Sequence, residues 1–440
     1  MCNTRLTSLP VPLTIITNKM RSSSTLLLGL AASASAIPLT PFPLPLSQHE
    51  PRQTTPTPNT TIQCAPLPSP FPTWQQLPVQ KSLPDPFLPL KFMTTTAPLT
   101  DILTGRAPGR ITTRAEWYAC RQPELLALLQ EYQFGYYPDH AQETVTATRS
   151  GNTVNIGVSV GGKTGKFKAT LQLPAGATKD KPAPVVINIG GMASAGYLSA
   201  GIAVVGFDYT SVAPDSNAKT GAFWELYKGK DIGEWISSCL FGSGGRGERG
   251  EEGGKGKGFK GVNADDGYLG TLTAWAWGFH RTLDGLNMTV PEIDSKRVGV
   301  TGCSRLGKAA LVAGLFDTRI TVTMPMSSGV QGLGPYRYHG LSGQDETLEN
   351  SKSGAGWWSN SKLGTFVNHH ESLPFDAHTI AAAIAPRALI ADQGTGDQFV
   401  DSKGTSIVMY PAAKAVYDWL GVGDKLGLSV RSGGHCDNSG

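Results

Sequence analysis

The sequence predicts an α/β fold, a doubly wound and mostly parallel sheet with helices on both faces that forms a three-layer αβα sandwich. Apolar, β-branched runs, most of them followed by Gly, Ser or Asp, alternate with helical patterns along the chain. The predicted strands are Val185–Gly190, Ile202–Tyr209, Val298–Thr301, Ile320–Met324, Ala388–Ala391 and Leu426–Val430. The predicted helices are Gly270–Leu286, Leu306–Leu315 and Tyr410–Leu420.

Composition bounds the class of protein. A chain of 440 residues has room for one large domain or two smaller ones, and 53 Gly and 31 Pro indicate many loops. With 16% charged residues and a formal net charge of +4, no dense basic face is expected, so we expect no nucleic-acid partner. No apolar run reaches the roughly 18 residues of a membrane span, so we expect no membrane partner. We also expect the protein to be a monomer.

The N-terminus carries a pattern typical of secretion. From Met20 the chain has one basic residue, an apolar stretch of about ten residues and the small-residue run Ala32–Ala36. Residues 1–36 are therefore expected to hold an upstream extension and a signal peptide, and the protein to be secreted. A disordered tail that contains leucines is the alternative.

Two further segments have biased composition. Residues 37–82 are rich in Pro, Thr, Ser and Gln and predict a flexible linker, which leaves 83–440 as one catalytic domain. Within that domain the Gly-rich run 242–261 is expected to be a disordered surface insertion. Asn59 and Asn287 begin N-glycosylation sequons.

The main chemical signal is Gly302–Gly307, where a predicted strand runs into a predicted helix. A serine flanked by small residues at such a turn is typical of a nucleophile elbow, which lifts Ser304 Oγ above the sheet at the N-terminus of the helix. The spacing Gly-x-Ser-x-x-Gly is one residue longer than the common Gly-x-Ser-x-Gly. A purely structural serine at a strand–turn–helix junction is the alternative.

A serine nucleophile of this kind is followed along the chain by an acid and then by a histidine. His435 follows the last predicted strand, whereas His280 lies inside a helical pattern. Asp397 lies in the loop after the predicted strand Ala388–Ala391, and Asp401 is the reserve candidate for the acid. The histidines and acids show no ligand-spaced cluster, so we expect neither a metal nor a cofactor.

Four stretches of the chain resemble one known family. They are Leu83–Phe87 with Thr112–Trp117, Thr273–Gly278, Arg297–Lys308, and Leu373–Asp376 with Ile384–Arg387. On these stretches, which extend over most of residues 83–435, the chain resembles the glucuronoyl esterases, carbohydrate esterase family 15. The resemblance implies an α/β-hydrolase fold and a serine esterase that needs no cofactor.

The resemblance also implies roles for individual residues. Ser304 would be the nucleophile, His435 the general base, and Arg305 would stabilise the oxyanion. Lys308, one turn beyond Ser304, would contact sugar hydroxyls, with a helix-surface lysine as the alternative. Glu346 resembles the position whose Glu or Gln hydrogen-bonds the sugar.

The cysteines complete the resemblance. Removal of the signal would leave five, whose pairing the sequence alone does not give. The family's bridged pairs are matched by Cys303 with Cys436 and by Cys64 with Cys120. Cys239 has no counterpart.

The acid departs from the fungal pattern. Fungal members carry the triad Glu in a Gln-Glu-Ser-Gly run, and Ser327 occupies that position here. Many bacterial members carry an Asp in an Asp-x-Trp loop after the later strand, and Asp397 and Phe399 match that loop. We therefore expect Asp397 to be the acid.

The sugar side departs as well. A further sugar-contacting Glu of the family is replaced by Gly354, so recognition of the uronate hydroxyls is expected to differ. Trp357 and Trp358 are candidates for a stacking platform, with core packing as the alternative.

The resulting hypothesis is hydrolysis of the ester between 4-O-methyl-glucuronic acid of glucuronoxylan and a lignin alcohol. The departures at Ser327 and Gly354 leave two other hypotheses open: an acetyl or feruloyl xylan esterase, and a catalytically impaired protein that binds wall polysaccharide.

Overall fold

The structure, a computed structural model, describes residues 62–93, 109–191, 193–229, 268–341, 343 and 346–437. The expected signal peptide, the Asn59 sequon, Cys239 and the Gly-rich run 242–261 lie outside the described residues. Within those ranges no helix is long and apolar enough to cross a membrane.

A single nine-stranded sheet organises residues 144–431. Its spatial order is β1-β2-β3-β5-β4-β6-β7-β8-β9, with antiparallel pairing from β1 to β3 and between β3 and β5, and parallel pairing across the rest. The strands are β1 Thr144–Ser150, β2 Thr153–Val160, β3 Lys163–Gln172, β4 Ala183–Asn188, β5 Ala203–Phe207, β6 Ile293–Cys303, β7 Val322–Met326, β8 Ala388–Gly394 and β9 Leu426–Arg431.

Helices connect the strands. The α-helices are α1 Leu90–Met93, α2 Arg114–Glu116, α3 Gln122–Leu129, α4 Ala195–Ser199, α5 Tyr209–Val212, α6 Ala222–Tyr227, α7 Thr271–Thr289, α8 Arg305–Phe316, α9 Leu348–Ala355, α10 Ser361–Gly364, α11 Ala377–Ala382 and α12 Tyr410–Leu420. Shorter 3₁₀ or π-helical turns are Trp74–Gln76, Trp117–Arg121, Gln130–Phe134, His140–Gln142, Gly356–Trp358, His370–Ser372, Gly404–Met409 and Gly423–Lys425. The predicted α/β-hydrolase class, a mostly parallel sheet with helices, is confirmed.

The strand order changes direction next to β4. From β4 the chain moves to β5 on one side and then returns to β6 on the other, so β4 and β6 are parallel neighbours with a topological switch point between them. In open α/β sheets, ligands bind outside the carboxyl ends of the strands at such a point. This is where Ser304, directly after β6, lies.

The long helix α7 forms much of the core beneath the sheet. Trp275 and Trp277 are fully buried, and their indole N–H groups donate to Ala213 O at 2.8 Å and to Glu143 Oε1 at 2.7 Å. A Cβ at Gly278 would lie 2.7 Å from the Phe207 ring, so close packing on β5 requires glycine there. The stretch Thr273–Gly278 therefore serves packing.

The predicted linker boundary is wrong for residues 62–82. These residues pack on the domain: Leu77 is 5% exposed, and Cys64 forms a disulfide with Cys120. Apolar side chains within the Pro-rich segment account for the difference, because they bury surface that a solvated linker would expose.

Candidate active site

Ser304 occupies a sharp turn between strand β6 and helix α8. Its backbone has φ 58° and ψ −128°, in the left-handed half of conformational space that costs an L-residue free energy. The turn is fixed from both sides, because Ser304 N–H donates to Met326 O at 3.0 Å and Ser304 O accepts from Lys308 N–H at 3.0 Å. The predicted elbow is thus present, with the serine at the N-terminus of α8.

The two glycines of the motif lie so close to neighbouring backbone that a larger side chain would not fit. A Cβ at Gly302 would lie 2.6 Å from Leu306 O, and one at Gly307 would lie 2.7 Å from Met326 O. Strand β7 therefore approaches the helix at Gly307, one position beyond the common spacing. This close approach explains the Gly-x-Ser-x-x-Gly pattern.

His435 lies in the loop after β9 and is held by a carboxylate. Its Nδ1 is 3.0 Å from Asp397 Oδ1 and 2.9 Å from Asp397 Oδ2. Because Nδ1 donates to the carboxylate, Nε2 is left as the proton acceptor. Of the two acids considered from the sequence, Asp397 contacts the histidine, while Asp401 accepts hydrogen bonds from backbone N–H groups that include Lys403 and Gly404.

The environment of Asp397 favours its ionised form. Burial acts to raise the pKa, but hydrogen bonds from His435, from the backbone N–H groups of Phe399 and Val400, and from Ser327 outweigh it and leave the pKa below its usual value. The Asp397 side chain is fully buried. It can therefore hold an imidazolium by charge.

Ser327, which the resemblance matches to the Glu of fungal members, belongs to the same hydrogen-bond network. It is fully buried at the end of β7, and its Oγ also accepts from Arg431 Nη2 at 3.3 Å. Arg431 donates as well to Asp392 Oδ1 at 2.8 Å and to Gly434 O at 2.9 Å. Arg431 thus stabilises the loop that carries His435. The sequence does not identify this role of Arg431.

A disulfide connects the elbow to the histidine loop. Cys303 and Cys436, the neighbours of Ser304 and His435, are bonded. Within the described residues, Cys303, His435 and Cys436 form the one group of three His, Cys, Asp or Glu side chains close enough to hold a metal. Since both sulfurs of that group are in the disulfide, they are not available as thiolate ligands.

Two cavities meet at Ser304, Arg305 and His435. One, of about 690 Å³, extends to the loop after β4, where Gly190 and Gly191 have positive φ. The other, of about 740 Å³, is lined by Glu346, Asn350, Trp358, Phe399 and neighbours. The serine therefore lies where a substrate could extend in two directions, and Phe399, more than half exposed, borders the second.

Arg305, the first residue of α8, is held from the side. Its Nε is 2.6 Å from Asp215 Oδ2, and its Nη2 is 3.4 Å from the Tyr209 hydroxyl. The backbone N–H of Arg305 is in the first turn of the helix, where N–H groups have no partner within the helix. Neither Asp215 nor Tyr209 was found from the sequence.

Lys308 is buried and does not lie on the helix surface. It is 1% exposed, and its Nζ donates to Glu346 Oε2 at 2.6 Å and to Ser328 O at 2.7 Å. A Cβ at Gly329 would lie 2.3 Å from the same Glu346 oxygen. Lys308 thus fixes Glu346, which borders the larger cavity.

The tryptophan pair does not form one continuous platform. Trp358 lines the cavity that contains Ser304, whereas Trp357 lines a separate cavity of about 270 Å³ with Trp224 and Lys219. Both indole N–H groups donate to Asp215 Oδ1, at 2.9 Å from Trp357 and 2.7 Å from Trp358. The structure therefore places Trp358, and not Trp357, at the cavity that contains Ser304.

Similarity to known proteins agrees with this geometry. A model of the family described as "Glucuronyl esterase, fungi" matches residues 156–239 and 245–421. The chain belongs to this family. Among curated glucuronyl esterase relatives named 4-O-methyl-glucuronoyl methylesterase, that of Podospora anserina is 33% identical over 77% of this chain, and that of Schizophyllum commune is 32% identical over 77%.

The coverage of these relatives differs. The chain spans 64% of the length of the Podospora anserina protein, 66% of a relative from Hypocrea jecorina and 77% of the Schizophyllum commune protein.

Solved glucuronoyl esterases share the fold. One from Caldicellulosiruptor kristjansonii has a TM-score of 0.66 and 32% identity, over 82% of this chain and 88% of that one. A mutant enzyme from Sporotrichum thermophile in complex with methyl 4-O-methyl-beta-D-glucopyranuronate has a TM-score of 0.62 and 27% identity, over 82% and 84%.

Proposed function

We propose that this chain is a secreted serine esterase that cleaves the ester between 4-O-methyl-glucuronic acid of glucuronoxylan and an alcohol, in plant walls a lignin alcohol. The observation that carries the proposal is the pair of contacts from His435 Nδ1 to Asp397, beside a serine in a strained elbow. Membership of the glucuronyl esterase family and the names of the relatives support the choice of substrate.

Acylation begins at Ser304. His435 Nε2 accepts the Oγ proton while Oγ bonds to the uronoyl carbonyl carbon, and the carbonyl electron pair moves to the oxygen. Asp397 stabilises the imidazolium that forms. Collapse of the tetrahedral intermediate breaks the bond to the alcohol oxygen, which takes the proton from His435 and leaves.

Deacylation repeats the sequence with water. His435 accepts a proton from water as its oxygen attacks the acyl carbon, and collapse returns Ser304 Oγ with that proton. The product is a uronic acid, which ionises. Two cations bear on these steps. Arg305 offers its backbone N–H and guanidinium to the oxyanion, and the buried Lys308 holds Glu346, which would contact the sugar hydroxyls.

The experiment is an ester assay on the full chain. Benzyl glucuronate should be cleaved to benzyl alcohol and glucuronate, and Ser304→Ala should lower kcat by about 10⁶-fold, as loss of a triad serine does. Ser199→Ala, which removes an exposed hydroxyl from α4, is the matched control and should leave kcat unchanged.

The same assay separates the competing functions. A kcat/KM for 4-nitrophenyl acetate or methyl ferulate well above that for benzyl glucuronate would move the substrate to acetyl or feruloyl esters. Cleavage that survives in Ser304→Ala would refute the nucleophile. Binding to glucuronoxylan without any cleavage would favour the polysaccharide-binding alternative.

A further inference from the structure

Asp215 connects both walls of the cavity that contains Ser304. Its Oδ2 is 2.6 Å from Arg305 Nε, and its Oδ1 accepts hydrogen bonds from the indole N–H groups of Trp357 and Trp358 at 2.9 and 2.7 Å. Trp358 and Arg305 both line the cavity. One carboxylate thus joins the start of helix α8 to the turn Gly356–Trp358.

The segment that carries Asp215 is itself anchored to the core. Two residues earlier, Ala213 O accepts from the indole N–H of the fully buried Trp275 at 2.8 Å. The Tyr209 ring packs edge-on against Trp275, with centroids 5.1 Å apart, and its hydroxyl is near Arg305. Helix α7 thus anchors the residues that lead into Asp215, which limits the movement of its carboxylate.

The ion pair determines which part of the guanidinium remains available. Asp215 contacts the Nε side of Arg305 and the Tyr209 hydroxyl contacts Nη2, so the proposed contact to the oxyanion on the carbonyl that Ser304 attacks falls to Nη1. A guanidinium is planar, so fixing one edge orients the other. A lone arginine at 37% side-chain exposure would sample many rotamers and lose this orientation.

The pair also sets the charge next to the serine. Arg305 is matched by Asp215, and Lys308 is matched by Glu346 at 2.6 Å. Because the proposed product is an anion, an unmatched cation at this place would strengthen its retention. A paired arginine can donate hydrogen bonds to the oxyanion with less attraction for the carboxylate product.

We propose that Asp215 is a positioning residue for the esterase reaction. It orients Arg305 at the oxyanion and offsets the positive charge of Arg305 that would attract the anionic product. It also holds Trp358 in the wall of the cavity that Glu346 lines. This inference rests on the proposed function, since it assigns Arg305 its role there. It predicts that loss of the carboxylate impairs the chemical step more than the binding of the neutral ester.

The kinetic test compares Asp215→Asn with the unaltered chain on benzyl glucuronate. The amide keeps the size of the side chain but turns a donor toward Arg305 or the indoles. We expect kcat to fall on the order of 10–100-fold, less than loss of a full oxyanion donor, with KM changed by less than about threefold. The inhibition constant of D-glucuronate should fall, because Arg305 is then unpaired.

Two variants provide controls. Asp215→Glu keeps the charge and should retain the original inhibition constant and recover part of kcat. Asp294→Asn breaks another Asp–Arg pair, 2.7 Å from Arg297 at the opposite end of strand β6, and should leave kcat and KM unchanged. A kcat within twofold of the unaltered chain in Asp215→Asn, or an inhibition constant that rises as kcat falls, would overturn the proposal.

A second measurement does not depend on the substrate. Trp357→Phe and Trp358→Phe identify two of the nine indole signals in a ¹⁵N-tryptophan NMR spectrum, and both should move upfield in Asp215→Asn as the carboxylate acceptor is lost. Unmoved signals would overturn the support role. An unaltered chain that cleaves no glucuronate ester would instead refute the proposed function, and the indole signals would still test the contact.

Discussion

The contacts of individual atoms identify the acid that orients His435. Asp397 contacts Nδ1 with both oxygens and accepts two backbone N–H groups, so in the proposed mechanism its carboxylate fixes the tautomer and balances an imidazolium. Asp397→Asn should lower kcat by roughly 10²–10⁴-fold, because an amide can stabilise neither the correct tautomer nor the charge. The measurement is kcat on benzyl glucuronate, with urea unfolding to confirm the fold.

Asp401→Asn is the matched control for this prediction. Asp401 caps the turn that begins at Gly404 through backbone contacts, so its loss should change stability and leave kcat within a few-fold. The reverse pattern, a large loss in Asp401→Asn with little in Asp397→Asn, would move the acid. The sequence limits the candidates for the acid to two residues four positions apart, because it shows the residue type and the loop in which each residue lies. It does not show which side chain points at His435, since the fold sets that direction.

At the scale of one element, helix α9 carries the clearest departure from the family. The resemblance to the family implies a sugar-contacting Glu at the position of Gly354, and a Cβ there would meet no atom within 4 Å. Gly354 is one turn beyond Asn350, which lines the cavity. Gly354→Glu should therefore be accommodated, stabilise the helix by about 0.5 kcal/mol and lower the KM for glucuronate esters several-fold.

The check on Gly354→Glu is KM on benzyl glucuronate beside the melting temperature. Gly354→Ala is the control, since it gains the helix propensity without the carboxylate and should leave KM unchanged. An equal change of KM in both variants would show that the helix, and not a sugar contact, is responsible.

Elements differ in how far the sequence reveals them. Continuous apolar runs before turn residues predict strands β4 to β9 with ends within three residues, except that β6 begins five residues before its predicted start; β1 to β3 are not among the predicted strands. Strand β3 alternates exposed and buried residues, a pattern that the sequence does contain and that could have located it. Asp215 carries no such signal, because its partners are 90 or more positions away.

At the scale of the whole molecule, two buried histidines tie stability to pH. His280 and His378 are each 1% exposed, and burial lowers the pKa of both from 6.5 to about 4. Each Nε2 lies 2.9 Å from a backbone carbonyl, of Ala313 and of Pro84 respectively, which suits the neutral ring with a proton on Nε2. Protonation would place a charge in the core.

The folded and unfolded chains bind different numbers of protons on these two rings. Between pH 6.5 and about 4 the unfolded chain binds protons on these rings that the folded chain does not, so the free energy of unfolding falls as the pH falls. Each ring should contribute a loss of about 2 kcal/mol in the free energy of unfolding between pH 6.5 and about 5.

Urea unfolding between pH 6.5 and about 5 should therefore show steep acid destabilisation. His378→Gln keeps a donor for Pro84 O and should flatten that dependence by about half of the two-histidine effect. An equally steep dependence in His378→Gln would place the acid sensitivity elsewhere, in the paired carboxylates.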